Sequence, residues 1–161
     1  MMLHHQSTTR RPLFMPGNSD DFQDDKASKG RSRDTDTALH PRVLIVEDEG
    51  LVALNIEGAL AEAGFDIVGV LDTEDEAVTA AQRLQPDVVL LDITLREGDG
   101  ISAAKRISLS VETLIIFISG NSDPRTLAAA DEVGPAGFIR KPFVTETLAK
   151  SVADAIRRKG N

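Results

Sequence analysis

Short apolar runs alternate with amphipathic stretches from residue 42 to the end of the chain. The apolar runs predict five strands, near Arg42–Val46, Asp66–Val70, Val88–Leu91, Leu114–Ile118 and Ala136–Ile139. The stretches between and after them have helical periodicity and predict five helices. Such alternation is typical of βαβ units and therefore of a parallel sheet. We expect an α/β fold, a doubly wound (βα)5 flavodoxin-like parallel sheet with strand order 2-1-3-4-5.

Capping residues mark where several of these helices begin. Thr73, followed three residues later by Glu76, forms a capping box. Asp123 followed by Pro124 places an N-cap residue before a proline at the first helical position. The helices are therefore expected near Leu51–Ala63, after Thr73, near Ile101–Leu109, after Asp123 and near Thr145–Arg158.

Polar side chains stand at the carboxyl ends of four predicted strands. Glu47 and Asp48 follow the first strand and Asp92 follows the third, whereas Ser119 and Lys141 follow the fourth and fifth. In an open parallel sheet these strand ends lie along one edge, which is where such folds place their sites. We therefore expect three carboxylates, one hydroxyl and one ammonium to converge.

The charges of these groups indicate what the site binds. Like charges held a few ångströms apart cost several kcal/mol unless a counter-ion or a proton relieves them. Lys141 offsets only one of the three carboxylates, and Mg²⁺ would relieve the rest, because this ion prefers oxygen ligands and is often held by carboxylates together with phosphate oxygens. The site is thus interpreted as a metal-assisted phosphoryl acceptor in which an Asp is the nucleophile, Mg²⁺ and Lys141 neutralise charge, and Ser119 donates a hydrogen bond.

Four motifs in this order resemble the receiver domain of two-component response regulators. They are VEDE at Val46–Glu49, LLD at Leu90–Asp92, FISG at Phe117–Gly120 and IRKPF at Ile139–Phe143. The resemblance extends from about Arg42 to Arg158. It is specific as a set, whereas any one motif alone would be weak.

The resemblance assigns a role to each matching position. It implies that Asp92 is the phosphoacceptor, that Asp48 and Asp92 are Mg²⁺ ligands, that Glu47 lies in the outer part of the metal site, and that Thr94 supplies a backbone carbonyl to the metal. It also implies a phosphoryl-stabilising role for Ser119 and Lys141, a switch formed by Ser119 and Phe138, and a cis peptide bond between Lys141 and Pro142.

Two pairs of residues near the strand ends bear on how closely the chain follows the family. Leu95 and Arg96 stand where the family often has a Met-Pro pair, which changes the loop after the acceptor. Thr94 and Asn121 match the pair of positions that tunes how fast the aspartyl phosphate hydrolyses.

Other functions of this fold fit the residues less well. A flavin-binding flavodoxin needs a phosphate-cradling loop after the first strand, but Glu47, Asp48 and Glu49 would repel a cofactor phosphate. A haloacid-dehalogenase-type phosphatase needs a second Asp two residues after the acceptor, where this chain has Thr94. We therefore expect a signalling protein rather than an enzyme. A pseudo-receiver, acting as a phosphorylation-independent interaction module, is the alternative that stays open.

Composition is that of an ordinary soluble domain. The chain has 161 residues, 41% of them hydrophobic, which is enough for one domain with its own core. It contains no cysteine, and no apolar stretch is long enough to cross a membrane. The net charge of −8 falls on the part after residue 40, so binding to nucleic acid is not expected. We expect a cytoplasmic protein with no membrane association.

The first 40 residues are polar, lack apolar periodicity and are predicted to form a disordered tail. Residues 41–161 are predicted to form the receiver domain. Because the chain ends directly after the fifth predicted helix, we expect a single-domain regulator phosphorylated by a histidine kinase or a histidine phosphotransfer protein. Its signal would pass to a downstream protein through the face made by the fourth helix, fifth strand and fifth helix, and homodimerisation is left open.

Overall fold

Five strands and five helices alternate in the part of the chain that the structure describes, residues 40–120 and 123–161 of a computed structural model. In chain order they are β1 (Arg42–Val46), α1 (Gly50–Glu62), β2 (Asp66–Leu71), α2 (Glu74–Leu84), β3 (Val88–Asp92), α3 (Gly100–Ser108), β4 (Leu114–Ser119), α4 (Pro124–Asp131), β5 (Gly137–Arg140) and α5 (Thr145–Lys159). The predicted strand and helix ranges are confirmed, with ends displaced by one residue. None of these described helices combines the length and apolarity needed to cross a bilayer.

The strands form one parallel sheet in the order β2-β1-β3-β4-β5, which confirms the predicted topology. Each crossover between parallel strands passes through a helix, so helices cover both faces of the sheet. The carboxyl ends of β1 and β3, the two neighbouring central strands, therefore lie side by side at one edge.

The core has two layers, one on each face of the sheet, because successive side chains of a strand point to opposite faces. One layer joins the sheet to α1 and α5 and includes Val43, Ile45, Val88, Leu90, Ile116, Ile118, Ile56, Leu60, Leu148 and Val152. The other joins it to α2 and α3, with one residue of α4, and includes Leu44, Val46, Val89, Leu91, Ile115, Phe117, Ala77, Ala81, Ala104, Ile107 and Ala130. The central strands β1, β3 and β4 are thus buried on both faces, as parallel strands usually are.

Both predicted N-cap residues are confirmed, although only one of the two hydrogen bonds of the predicted capping box is found among the described residues. The side chain of Thr73 accepts a hydrogen bond from the backbone N–H of Glu76 at 3.3 Å. Asp123 accepts one from the N–H of Thr126 at 3.0 Å, and Pro124 is the first residue of α4. Each cap satisfies a backbone donor that has no partner within its helix.

Two of the sequence predictions fall outside the described residues. The predicted disordered tail is one of them, apart from its last residue, His40. The other is the assignment of Asn121 as a position that tunes dephosphorylation.

Candidate functional site

Three charged side chains from three strand ends meet at the carboxyl edge of the sheet. The Lys141 Nζ lies 2.6 Å from Oδ2 of Asp92 and 2.7 Å from Oε2 of Glu47. Both carboxylates are buried, with only 4% of Asp92 and 2% of Glu47 exposed. A partly buried ammonium therefore bridges two buried carboxylates.

Strand pairing explains why Glu47 and Asp92 meet. Val46 of β1 pairs with Leu91 of β3, so the next residue of each strand is also opposite the other. Glu47 follows Val43 and Ile45 in the alternation, and Asp92 follows Val88 and Leu90, so both point to the α1 and α5 face. Two carboxylates are thus placed together by the same alternation that buries the core.

The electrostatic cost of this arrangement appears in the pKa values. Burial raises the pKa of Glu47 above its ordinary value, and the charge on Asp92 adds to the rise, although hydrogen bonding to Lys141 and to the N–H of Glu49 opposes it. Burial acts to lower the pKa of Lys141, but the hydrogen bond from its ammonium to Asp92 and the close ion pair with Glu47 outweigh that effect and raise the pKa above its ordinary value. Lys141 is therefore held as a cation.

The backbone around the site supplies two further hydrogen bonds. The N–H of Thr94 donates to Oδ1 of Asp92 at 2.8 Å, so each oxygen of Asp92 has one donor. The N–H of Glu49 donates to Oε1 of Glu47 at 3.0 Å. Both carboxylates are thereby oriented by short local turns as well as by Lys141.

A divalent cation fits this set of donors. Oxygens of Glu47, Glu49 and Asp92 all lie within 4.8 Å of one another, and Lys141 is the only cation in contact with them among the described residues. Three carboxylates against one ammonium leave excess negative charge, and carboxylate oxygens are ligands that Mg²⁺ prefers. The residues present are therefore suited to hold this ion.

Asp48, the predicted metal ligand, is not part of that three-carboxylate cluster. Its Oδ2 accepts a hydrogen bond from the backbone N–H of Arg96 at 2.7 Å and lies 3.7 Å from Nε of the same residue. Asp48 still lines the same cleft, a cavity of about 570 Å³ that also contacts Asp92, Thr94 and Lys141. Its side chain is thus beside the cluster and bonded to the loop after β3.

Ser119 and Phe138 line a second cavity, of about 500 Å³, next to α4. The ring of Phe138 is 44% exposed, and its centroid lies 5.7 Å from that of Phe117, the residue opposite it on β4. Lys141 connects the two cavities along the backbone, since its N–H donates to the carbonyl of Ser119 at 2.9 Å. The peptide bond between Lys141 and Pro142 is cis.

The loop between β3 and α3 is anchored on α2 by the carboxylate of Glu74. This carboxylate accepts hydrogen bonds from the Asp99 N–H at 2.9 Å, from the Ser102 hydroxyl at 2.6 Å and from Arg106 at 2.9 Å. The Ser102 hydrogen bond, followed by those of Arg106 and Asp99, lowers the pKa of Glu74 below its ordinary value of 4.5. Glu74 therefore fixes the end of the loop that follows Asp92 and contains Thr94 and Arg96.

We expect Glu74→Gln to lower the free energy of unfolding by about 1 kcal/mol at neutral pH, because an amide cannot accept all three hydrogen bonds. A depressed folded pKa contributes stability above the unfolded value of 4.5, and that stability is lost as the pH falls through the folded pKa. The difference between wild type and variant should therefore shrink on acidification. Urea unfolding followed by far-UV circular dichroism at neutral and acidic pH measures it.

Glu76→Gln is the matched control for that experiment. Glu76 lies in the same acidic first turn of α2, and its side chain is exposed. A pH-independent difference for Glu74→Gln, or an equal effect of the Glu76 variant, would show that the anchor is not electrostatic.

Three residues near the site were not assigned a role from the sequence. Glu49 joins the carboxylate cluster, and a usable signal existed, since alternate residues of an extended segment face the same side and Glu49 is two residues after Glu47. Arg96 was noted only as a departure from the family pattern. The anchor at Glu74 had no local signal, because its partners lie 25 to 32 residues away.

Comparison with known proteins adds a consistent result. The sequence model of the response regulator receiver domain family matches residues 43–153. The transcriptional regulatory protein PdtaR of Mycobacterium tuberculosis H37Rv is 33% identical over 129 residues, which are 80% of this chain and 63% of PdtaR. This chain thus spans less than two thirds of that relative's length. The chemotaxis protein CheY of Bacillus subtilis is 31% identical over 112 residues, 69% of this chain and 93% of CheY.

A solved structure supports the same comparison. The signal receiver domain of a modulated diguanylate cyclase from Desulfovibrio desulfuricans G20 has a TM-score of 0.71 and 39% sequence identity, covering 75% of this chain and 97% of that one.

Proposed function

The chain belongs to the response regulator receiver domain family, and from this membership we propose that it is a signalling domain controlled by phosphorylation of Asp92. The observation that carries the proposal is the bridge of Lys141 between Asp92 and Glu47, at 2.6 and 2.7 Å. It sets a nucleophilic carboxylate beside a permanent positive charge and a second carboxylate. A phosphoryl group transferred to Asp92 would meet the charges that its transfer requires.

The proposed reaction moves a phosphoryl group from a phosphohistidine on a donor protein. One carboxylate oxygen of Asp92 forms a bond to phosphorus while the bond from phosphorus to the histidine nitrogen breaks, and the electron pair leaves with the imidazole. The Lys141 ammonium neutralises charge on the phosphoryl oxygens, and the Ser119 hydroxyl donates a hydrogen bond to one of them. The Thr94 N–H, 2.8 Å from Oδ1, orients the nucleophile.

The proposed cofactor is Mg²⁺. We assign Asp48, Asp92 and the backbone carbonyl of Thr94 as ligands, with Glu47 in the outer part of the site, and we add Glu49 because its carboxylate joins the cluster. When bound, the ion supplies positive charge to the phosphoryl oxygens. The ion would also offset the charge of Glu47. Burial raises the pKa of this carboxyl, and Lys141 is its only cationic contact among the described residues.

The proposed output is a change in the cavity that Ser119 and Phe138 share. A phosphoryl group on Asp92 would draw the Ser119 hydroxyl and leave room for the Phe138 ring to turn inward, which biases an existing two-state equilibrium. Because phenylalanine has no hydroxyl, the effect on a partner would be steric. The exposed ring and the α4, β5 and α5 face around it would then present a different surface to a downstream protein.

The wider assignment follows the family. We propose that residues 41–161 form the receiver unit and residues 1–40 a tail, and that the phosphodonor is a histidine kinase or a histidine phosphotransfer protein in the cytoplasm. We also propose that Thr94 and Asn121 tune the lifetime of the phosphorylated form. A homodimer is compatible with the same output face.

We expect wild-type protein to gain one phosphoryl group from a small phosphodonor in the presence of Mg²⁺, and Asp92→Asn to gain none, since Asp92 is the carboxylate that ends β3 and lies 2.6 Å from the Lys141 ammonium. Intact-mass spectrometry measures the uptake. Removing Mg²⁺ with a chelator should abolish it in the wild type.

Asp66→Asn is the control, because Asp66 is an exposed carboxylate at the start of β2, away from the carboxyl edge. Equal uptake by wild type and Asp92→Asn would refute the acceptor assignment. No uptake by any form would favour the interaction module that does not depend on phosphorylation.

A further inference from the structure

Among the described residues that line the cleft, Arg96 contacts the acidic side chain that Lys141 does not. The Lys141 ammonium lies within 3.5 Å of Glu47, Glu49 and Asp92, but Asp48 is bonded to Arg96 instead. The guanidinium of Arg96 lies along Asp48, with Nε 3.7 Å from Oδ2 and an Nη 3.5 Å from the backbone carbonyl. In the described part of the chain, the cleft thus contains two cationic side chains. Lys141 is the counter-ion of Glu47, Glu49 and Asp92, and Arg96 is the counter-ion of Asp48.

The backbone of Arg96 is held by hydrogen bonds on both sides, whereas its side chain is largely exposed to solvent. The N–H of Gly100 donates to the carbonyl of Ile93, and the N–H of Glu74 donates to the carbonyl of Glu97, so the loop is bonded on both sides of Arg96. The side chain of Arg96 is 78% exposed and that of Asp48 only 11%. The guanidinium can therefore leave Asp48 without any rearrangement of the loop.

We propose that Arg96 competes with the divalent cation for Asp48, so that it sets the metal affinity of this site. The inference rests on the proposed metal site and adds a residue of this chain to it. An ion held by Asp48 would share that carboxylate with the Arg96 guanidinium, and two positive charges close to each other repel. Metal binding is then coupled to release of the Arg96 side chain from Asp48. Binding of the ion favours that release, and the release favours binding of the ion to the same extent.

The size of the effect follows from exposure. Because the guanidinium is largely solvated, its charge is well screened, and exposed ion pairs contribute little free energy. We expect Arg96→Ala to tighten Mg²⁺ binding by about two- to fivefold at low ionic strength. The gain should diminish as salt is raised, because salt screens the exposed charge.

Titration of the unphosphorylated protein with Mg²⁺, followed by amide chemical shifts, tests this without any measurement of phosphorylation. Arg96→Gln keeps a hydrogen-bonding side chain but removes the charge, and should match Arg96→Ala. Arg83→Ala removes one exposed arginine from the far end of α2 and should leave the affinity unchanged. In the wild type, the N–H signal of Arg96 should shift with Mg²⁺, since its acceptor Asp48 becomes a ligand.

The outcomes separate this inference from the proposed function. If Arg96→Ala binds Mg²⁺ as tightly as the wild type or more weakly, the competition is overturned. The proposed metal site itself would still stand. If Arg83→Ala tightens Mg²⁺ binding as much as Arg96→Ala does, the change follows from net charge alone, and this result would also overturn the proposed competition. Tightening by Arg96→Ala but not by Arg96→Gln would exclude charge as the cause. Absence of Mg²⁺ binding in every form would overturn the metal site, and this inference with it.

Discussion

Replacing Lys141 with methionine is expected to slow phosphorylation by roughly 10²-fold, the usual cost of removing one group that stabilises charge developing in a transition state. Methionine keeps much of the side-chain volume but removes the ammonium that lies 2.6 Å from Asp92. The same change should leave Mg²⁺ binding intact or make it tighter, because Glu47, Glu49 and Asp92 lose their shared counter-ion. The phosphorylation rate should therefore fall without any loss of metal affinity.

The phosphorylation rate is measured from the time course of intact mass with a small phosphodonor, and Mg²⁺ affinity from the same titration used for Arg96. Lys150→Met is the control, because Lys150 is an exposed residue of α5 that pairs with Asp154. A rate within about twofold of wild type for Lys141→Met would remove Lys141 from the transfer step. Circular dichroism of the variant checks that the fold is retained.

We expect Gly100→Ala to lower the free energy of unfolding by about 3 kcal/mol or more, a large share of the stability of a typical domain. A Cβ at this position would lie 2.0 Å from the backbone oxygen of Asp92 and 2.8 Å from Cα of Ile93. Both neighbours are backbone atoms and cannot turn aside as a side-chain end could. Relief of the clash must therefore displace the start of α3 or the acceptor itself.

Gly58→Ala is the matched control in α1. A Cβ there meets no atom within 4 Å, so the change should stabilise the protein by up to about 1 kcal/mol through helix propensity. The chain contains no tryptophan or tyrosine, so urea unfolding is best followed by far-UV circular dichroism. A Gly100 variant as stable as wild type would mean that α3 can move away from β3 at little cost.

The fold and the meeting of Glu47 with Asp92 were predictable from the sequence. Both follow from the alternation of side chains along a strand, which is a local property of the chain. Val43 and Ile45 precede Glu47 on one face, just as Val88 and Leu90 precede Asp92, and β1 and β3 are neighbours in the expected sheet order. The functional roles of these residues and of Lys141 stay predictions until phosphorylation is measured.

Alternation also separates residues that the sequence had placed in one group. Ser119 is two residues after Phe117, and Phe138 is opposite Phe117, so alternation directs both side chains toward the α2 and α3 face. They line the second cavity, whereas the charged residues line the first. Alternation along β4 and β5 is a local property of the chain, so the placement of Ser119 and Phe138 in a second cavity was also predictable from the sequence.

Sequence alone determined the order of the elements, the helix caps and the convergence of acidic and basic groups at one edge, because each depends on local spacing or on the regular geometry of a parallel sheet. Tertiary structure alone decided which acid each cation contacts. Lys141 is bonded to Glu47 and Asp92, Arg96 to Asp48, and Glu74 to the start of α3. These contacts join residues 28 to 94 positions apart, and a sequence pattern holds no information on how two flexible side chains share a charge until the backbone has brought them together.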